Sequence, residues 1–369
     1  MKIKFIVKTK DLAMYMFCIA YTIWLSFSFL GHIELFEEKL KLLTYIAIVI
    51  LCYLFILRIR EYGAKTSAIA FIIIVFGIIV GLRTSDFGLV KLMLIVYTTK
   101  DIDIKKCIKF DIKLRTVLII MVVILYYYGI APDNIAYSSM GIRHSMGFTN
   151  VNAFGMAIAI VCLEILYLKE MKFDIKSFLL IGILLYAVNY YSRSRTAIYI
   201  ILIALFFCVI NTYKHNFFNN IYCKKIIIYF PFFMMILTFA LSRLYKKGNY
   251  IAAIIDLFLT GRLRSIKFYD DIEVINFIGI NIKNYTTPLD NVYAYTFYGM
   301  GVIYLIIFIF SYIALLKQLI ETNQYSLMIV FLIFAIYGLS ERLWINIDYN
   351  IFMIAYNNIL FKNLKKEKL

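Results

Sequence analysis

Arginines set beside hydroxyls and amides mark where this chain could do chemistry. Ser192-Arg193-Ser194-Arg195-Thr196 packs two guanidinium groups and three hydroxyls into five residues. A guanidinium presents a planar fork of donors that matches phosphate oxygens two at a time, and a helix beginning at the same place adds backbone N–H groups. The ligand implied is phosphate or pyrophosphate, although a cationic turn reaching for lipid headgroups would use the same residues. Thr260-Gly261-Arg262-Leu263-Arg264 is a second such patch. Its glycine lets the backbone approach a ligand that arginine can reach, and contact with anionic lipid is the plainer use.

Two further patches carry amides and a carboxylate. In Gly147-Phe148-Thr149-Asn150-Val151-Asn152-Ala153-Phe154 the side chains of Asn150 and Asn152 can bind sugar hydroxyls, and Asn150 can equally cap a helix. Arg143 and His144 lie close by in sequence. In Pro288-Leu289-Asp290-Asn291-Val292-Tyr293 the Asp290 carboxylate, held at a helix N-terminus, stays ionised and can accept a proton from a sugar hydroxyl. An ordinary N-cap is the structural alternative for Asp290. Glu341 and Arg342 are adjacent and could pair internally, while Asp270 and Asp271 could hold a metal or form a solvated turn.

The elements that must position these residues are membrane helices. The chain has 369 residues, 63% hydrophobic and 17% charged, with 3 prolines, which no soluble domain of this size could keep in solution. Long apolar runs recur from Leu12 to Phe361, and runs such as Ala68 to Val80 do not alternate in polarity, which excludes a transmembrane barrel. The expected fold class is therefore all-α and polytopic. About twelve transmembrane helices are expected, starting near residues 12, 41, 67, 86, 115, 150, 177, 196, 226, 292, 325 and 346. The basic stretch Met1 to Lys10 precedes an apolar run without a small-residue cleavage site, so it reads as a retained first helix. Cys18, Cys52, Cys162 and Cys208 fall within apolar spans and Cys107 and Cys223 in basic loops, a placement that implies neither disulfides nor zinc.

A net charge of +17 would suggest nucleic acid in a soluble protein, but here loop asymmetry accounts for it without nucleic acid. With both termini cytoplasmic, the inner segments, among them 362–369, hold 24 Lys and Arg and the outer ones 14. Eight of the eleven arginines nevertheless fall outside: Arg83, Arg143, Arg193, Arg195, Arg243, Arg262, Arg264 and Arg342. Cations retained against the prevailing bias point to an anionic ligand on that face. Residues 1–369 read as one integral domain, within which the large extracytoplasmic loop 242–291 exceeds ordinary loop length and so carries function. Tyr250 to Leu259 within it, with Ile266 and Phe268, reads as an amphipathic surface helix.

The order of these patches resembles the Wzy-type polysaccharide polymerase and WaaL O-antigen ligase superfamily of bacterial surface glycan assembly. The likeness rests on the Gly147–Phe154 signature, the Ser192–Thr196 patch, Gly261-Arg262 in the late outer loop, and Asp290–Tyr293 before a helix with Gly299 and Gly301. Ligase-like members carry a histidine where this chain has Asp290, a departure that favours a polymerase. The resemblance implies a GT-C-like membrane glycosyltransferase in the bacterial cytoplasmic membrane. Its substrate would be an undecaprenyl-diphosphate-linked oligosaccharide, transferred on the outer face to a second such unit, with a flippase and chain-length regulators as partners. Arg195 and Arg262 would then stabilise the departing pyrophosphate and Asp290 would orient or deprotonate the acceptor hydroxyl. Arg193, Arg264, Ser192, Ser194, Asn150, Asn152, Asn291 and Tyr293 would bind substrate, and since arginines supply the positive charge no metal or other cofactor is required. A flippase or secondary transporter of lipid-linked glycans, or a membrane scaffold, would also suit twelve spans and outer arginines.

Overall fold

A computed structural model describes residues 2–138, 141–214, 217, 218, 220–272 and 276–361; the expected inner tail 362–369 lies outside them. Helices follow one another almost without interruption: α1 (Lys2–Leu30), α2 (Glu34–Arg58), α3 (Ala64–Thr84), α4 (Gly88–Thr98), α5 (Ile104–Tyr127), α6 (Val151–Leu168), α7 (Ile175–Ala187) and α8 (Arg195–Tyr213). After them come α9 (Ile221–Lys246), α10 (Tyr250–Phe258), α11 (Arg262–Ile272), α12 (Val292–Ala294), α13 (Val302–Glu321), α14 (Tyr325–Tyr337) and α15 (Asn357–Leu360). One departure from an all-helical chain is a short antiparallel hairpin of β1 (Ala136–Ser138) and β2 (Gly141–Arg143).

Among the described residues eight helices are long and apolar enough to cross a bilayer: Asp11–Leu30, Glu34–Arg58, Ala64–Thr84, Val151–Leu168, Ile175–Ser192, Arg195–Tyr213, Ile221–Lys246 and Val302–Glu321. The remaining four expected spans differ for identifiable reasons. Helices α4 and α14 have 11 and 13 residues, and at about 1.5 Å per residue neither reaches across a ~30 Å hydrocarbon layer. The run near 346 is broken into a 3-10 turn over Ile351–Tyr356 and the four-residue α15. Helix α5 is long, but Lys105, Lys106, Lys109, Asp111, Lys113 and Arg115 occupy its first half. The span expected from 292 begins at Val302, because 292–299 forms α12 and a π-turn.

The chain divides into two compact units. The first comprises Met1–Ser67, Met93–Tyr213 and Asp348–Leu369, and the second Ala68–Leu92 and Lys214–Ile347. In the first unit α6 is the central helix, buried along nearly its whole length, with α5 and α8 packed on it. Asn150 starts α6 by accepting from the N–H groups of Asn152 (2.9 Å) and Ala153 (3.0 Å), the capping role the sequence allowed. A Cβ on Gly155 would stand 2.6 Å from Ser194 Cβ, so glycine is what admits the start of α8 to this face. Helix α2 leaves Leu42, Tyr45, Val49, Tyr53 and Ile56 exposed at helical spacing, a stripe suited to lipid rather than water.

In the second unit α9 packs against α11, α13 and α14. The buried α14 anchors the residues before α13: Val292 N–H donates to Gly338 O (2.8 Å), Asn291 Nδ2 to Leu339 O (2.9 Å) and Tyr293 Oη to Ala335 O (2.9 Å). Much of the long loop is helical among the described residues. Its first residues extend α9 to Lys246, and α10 and α11 follow. Helix α10 exposes Tyr250, Ile251, Ile254, Leu257 and Phe258 while burying Ala252 and Asp256, an amphipathic arrangement.

Candidate functional site

The second unit draws together residues far apart in sequence. Thr260 (φ 56°) and Gly261 (φ 82°) form a left-handed turn between α10 and α11, and the buried Asp256 carboxylate accepts from Leu263 N–H at 2.7 Å. This cap fixes the first turn of α11 and directs Arg262 inward, where it is 8% exposed. Arg262 Nη1 meets Asp290 Oδ2 at 2.7 Å, its Nη2 meets Glu341 Oε1 at 3.1 Å, and its Nε donates to Ser340 O at 2.8 Å. Two of the residues singled out for chemistry are thus one ion pair, and Glu341 is the third member.

Two carboxylates sharing one guanidinium cannot both be answered fully. Burial pushes the Glu341 carboxyl up to about 7; the Asp290 charge adds to this and Arg262 opposes it. The N-cap role left open for Asp290 falls to Asn291, whose Oδ1 accepts from Ala294 N–H at 2.9 Å. Asn291 and Tyr293 are 1% and 0% exposed and spend their polar atoms on the α14 end, so they support the cluster from behind. Arg264 is exposed, its Nε 3.4 Å from Tyr245 Oη, and joins no carboxylate among the described residues. Lys246 Nζ lies 2.8 Å from both Asp270 and Asp271, which makes that adjacent pair the partner of a lysine.

The first unit holds the other arginine patch. A π-turn over Val188–Ser192 ends at Arg193 in the left-handed conformation (φ 47°), its N–H bonded to Val188 O at 2.8 Å. Ser192 and Ser194 are wholly buried: Ser192 Oγ donates to Val188 O at 3.1 Å, and Ser194 lies under Gly155 with its Oγ 3.5 Å from Thr196 Oγ1. These hydroxyls hold the turn rather than face a ligand. Arg143 joins the patches, its Nε donating to Ser192 O at 2.9 Å and its Nη2 to Asn152 Oδ1. The Arg193 guanidinium packs against Gly141 of β2. Arg195, half-buried at the first position of α8, makes no hydrogen bond or ion pair with the described residues. Nearby, His144 Nδ1 lies 2.6 Å from Asp133 Oδ2. Burial raises the Asp133 carboxyl, but hydrogen bonds from His144 and Ser145 outweigh it and leave the group below its usual range.

The sequence left open that Glu341 pairs internally with Arg342. Arg342 instead lies over the Tyr295 ring at 5.1 Å, and Tyr295 Oη donates to Asp86. Nothing in the spacing of residues 262, 290 and 341 pairs them; only the fold of the unit does. The sequence signal available was a carboxylate at the end of an apolar run, which by itself also fits a surface residue. No family model, curated protein or solved structure matches the chain.

Proposed function

We propose that the chain is a glycosyltransferase of the membrane, a polymerase that joins undecaprenyl-diphosphate-linked oligosaccharide repeat units on the outer face of a bacterial cytoplasmic membrane. The observation that carries this reading is the Arg262–Asp290–Glu341 cluster, in which a loop arginine is fixed between two carboxylates, one of which, Glu341, burial pushes up to about 7. A carboxylate positioned in this way can take a proton from a sugar hydroxyl and return it. Asp290, 23% exposed, is the member open to an acceptor, and the buried Glu341 shares its guanidinium. Arg262 orients both. In the first unit the guanidinium of Arg195, without a partner among the described residues, suits the oxygens of a pyrophosphate leaving group, whose charge rises as the glycosidic bond breaks.

The test is the surface glycan of cells carrying variants. Asp290→Asn and Arg195→Ala, expressed at the wild-type level, are expected to leave single repeat units on the surface and remove the polymer ladder. Normal ladders from both variants would refute the assignment. A second reading, transport of lipid-linked glycan, is favoured by one observation: Asp111, Arg115 and Glu164 are buried side by side in the first unit, as ionisable groups on transport pathways often are. Loss of the chain would then trap repeat units in the cytoplasm, whereas loss of a polymerase leaves them exported and unjoined.

A further inference from the structure

Outside the arginine patches the first unit encloses an ionisable cluster that the proposed chemistry does not use. Asp111 and Arg115 of α5, Glu164 of α6 and Tyr21 of α1 are all 0% exposed. Arg115 Nη2 meets Asp111 Oδ2 at 2.8 Å, Tyr21 Oη at 3.2 Å and Asp348 O at 2.9 Å, and the guanidinium lies over the Phe29 ring at 5.8 Å. Glu164 faces Asp111 and Arg115 across the α5–α6 contact. The half-buried Asp348 adds a further acid, so Arg115 is the cation that faces Glu164 and Tyr21.

With both buried carboxyls ionised, the Asp111–Arg115–Glu164 group carries one uncompensated negative charge away from water, which is strongly disfavoured. Hydrogen bonding agrees with this charge count. Asp111 Oδ1 and both Glu164 oxygens are buried without a hydrogen-bond partner among the described residues, as are Arg115 Nε and Nη1, so neither of these guanidinium donors reaches the three oxygens. A single proton removes the excess charge and pairs two of these oxygens, because a protonated Glu164 can donate to Asp111 Oδ1. A metal ion would have to sit beside the Arg115 guanidinium, which repels it, whereas a proton is absorbed into the carboxyl group.

We propose that Asp111 and Glu164 form a one-proton binding site in the apolar interior of the first unit, with Glu164 bearing the proton and Arg115 holding Asp111 as the carboxylate. The site rests on neither functional reading. The proton ties α5 to α6, and the Arg115–Tyr21 hydrogen bond adds α1.

The test is infrared spectroscopy of the purified full chain in lipid nanodiscs at about pH 8, above the titration of Glu341. Wild type labelled with carboxyl-13C glutamate is expected to show the carbonyl band of a protonated, dehydrated glutamic acid, and Glu164→Gln to lack it. Asp111→Asn is also expected to lack it although Glu164 is still present, because Glu164 then ionises against Arg115. Asp290→Asn is expected to keep it. Absence of the band from labelled wild type, its appearance only after sodium or potassium is withdrawn, or its persistence in Glu164→Gln or Asp111→Asn would overturn the proposal. Since the labelled wild type alone decides the first of these outcomes, the test survives a variant that fails to fold.

Discussion

Arg262 divides its fork between Asp290 and Glu341, so removing it affects two acids at once. Breaking a buried pair by deleting one partner typically costs about 3–5 kcal/mol. Arg262→Ala is therefore expected to lower the thermal midpoint of the purified chain markedly, and Arg262→Lys to fall between it and wild type because a lysine keeps the charge and loses the fork. A scan that ranks the three otherwise would remove Arg262 from the centre of the cluster. Glu341 gives a pH signature whose sign follows from linkage. Its folded-state affinity for a proton exceeds that of the unfolded chain, so the folded protein binds more protons between about 4.5 and about 7. The stability contributed by this group is full below about 4.5 and is lost as pH rises through about 7. Thermal midpoints of wild type are expected to decline across that window more steeply than those of Glu341→Gln, whose side chain no longer titrates. Equal slopes would show that Glu341 does not titrate there.

Close backbone approaches set the elements that carry both patches. A Cβ on Gly155 meets Ser194 Cβ at 2.6 Å, so Gly155→Val must push α6 and the start of α8 apart, at a cost of about 1–3 kcal/mol. Pairing Gly155→Ala with Ser194→Gly removes the atom it would strike, and unfolding midpoints should show the double variant more stable than Gly155→Ala alone. Additive losses would place the strain elsewhere. Gly301 is constrained differently: its φ of 97° is one that L side chains rarely adopt, and a Cβ there would overlap Phe277 O. Glycine at the head of α13 was legible as a motif element, but its cause, a loop carbonyl pressed against it, was not. Capping by Asn150 was legible because an N-cap is a local event, and so was α10, whose apolar residues recur at helical spacing. The partners of Arg262 lie 28 and 79 residues further on, where local pattern carries no information.

At the scale of the molecule, hydropathy found the strongly apolar segments, of which eight form helices long enough to cross a bilayer among the described residues. Helix α14 is as apolar as a span because it is buried in protein, and a window of composition cannot tell protein from lipid as the apolar surroundings. The arginines whose sorting suggested an anionic ligand are placed differently: Arg262 is answered internally, Arg143 is spent on Asn152 and Ser192, and Arg195 has no partner among the described residues. Joining of repeat units is tested most directly by reconstituting the purified full chain in proteoliposomes with undecaprenyl-diphosphate-linked repeat unit alone. The expected result is a ladder of lengthening oligosaccharide with one undecaprenyl diphosphate released per unit added, abolished by Asp290→Asn. Repeat unit that crosses the bilayer or remains unchanged, with no ladder and no free undecaprenyl diphosphate, would contradict it.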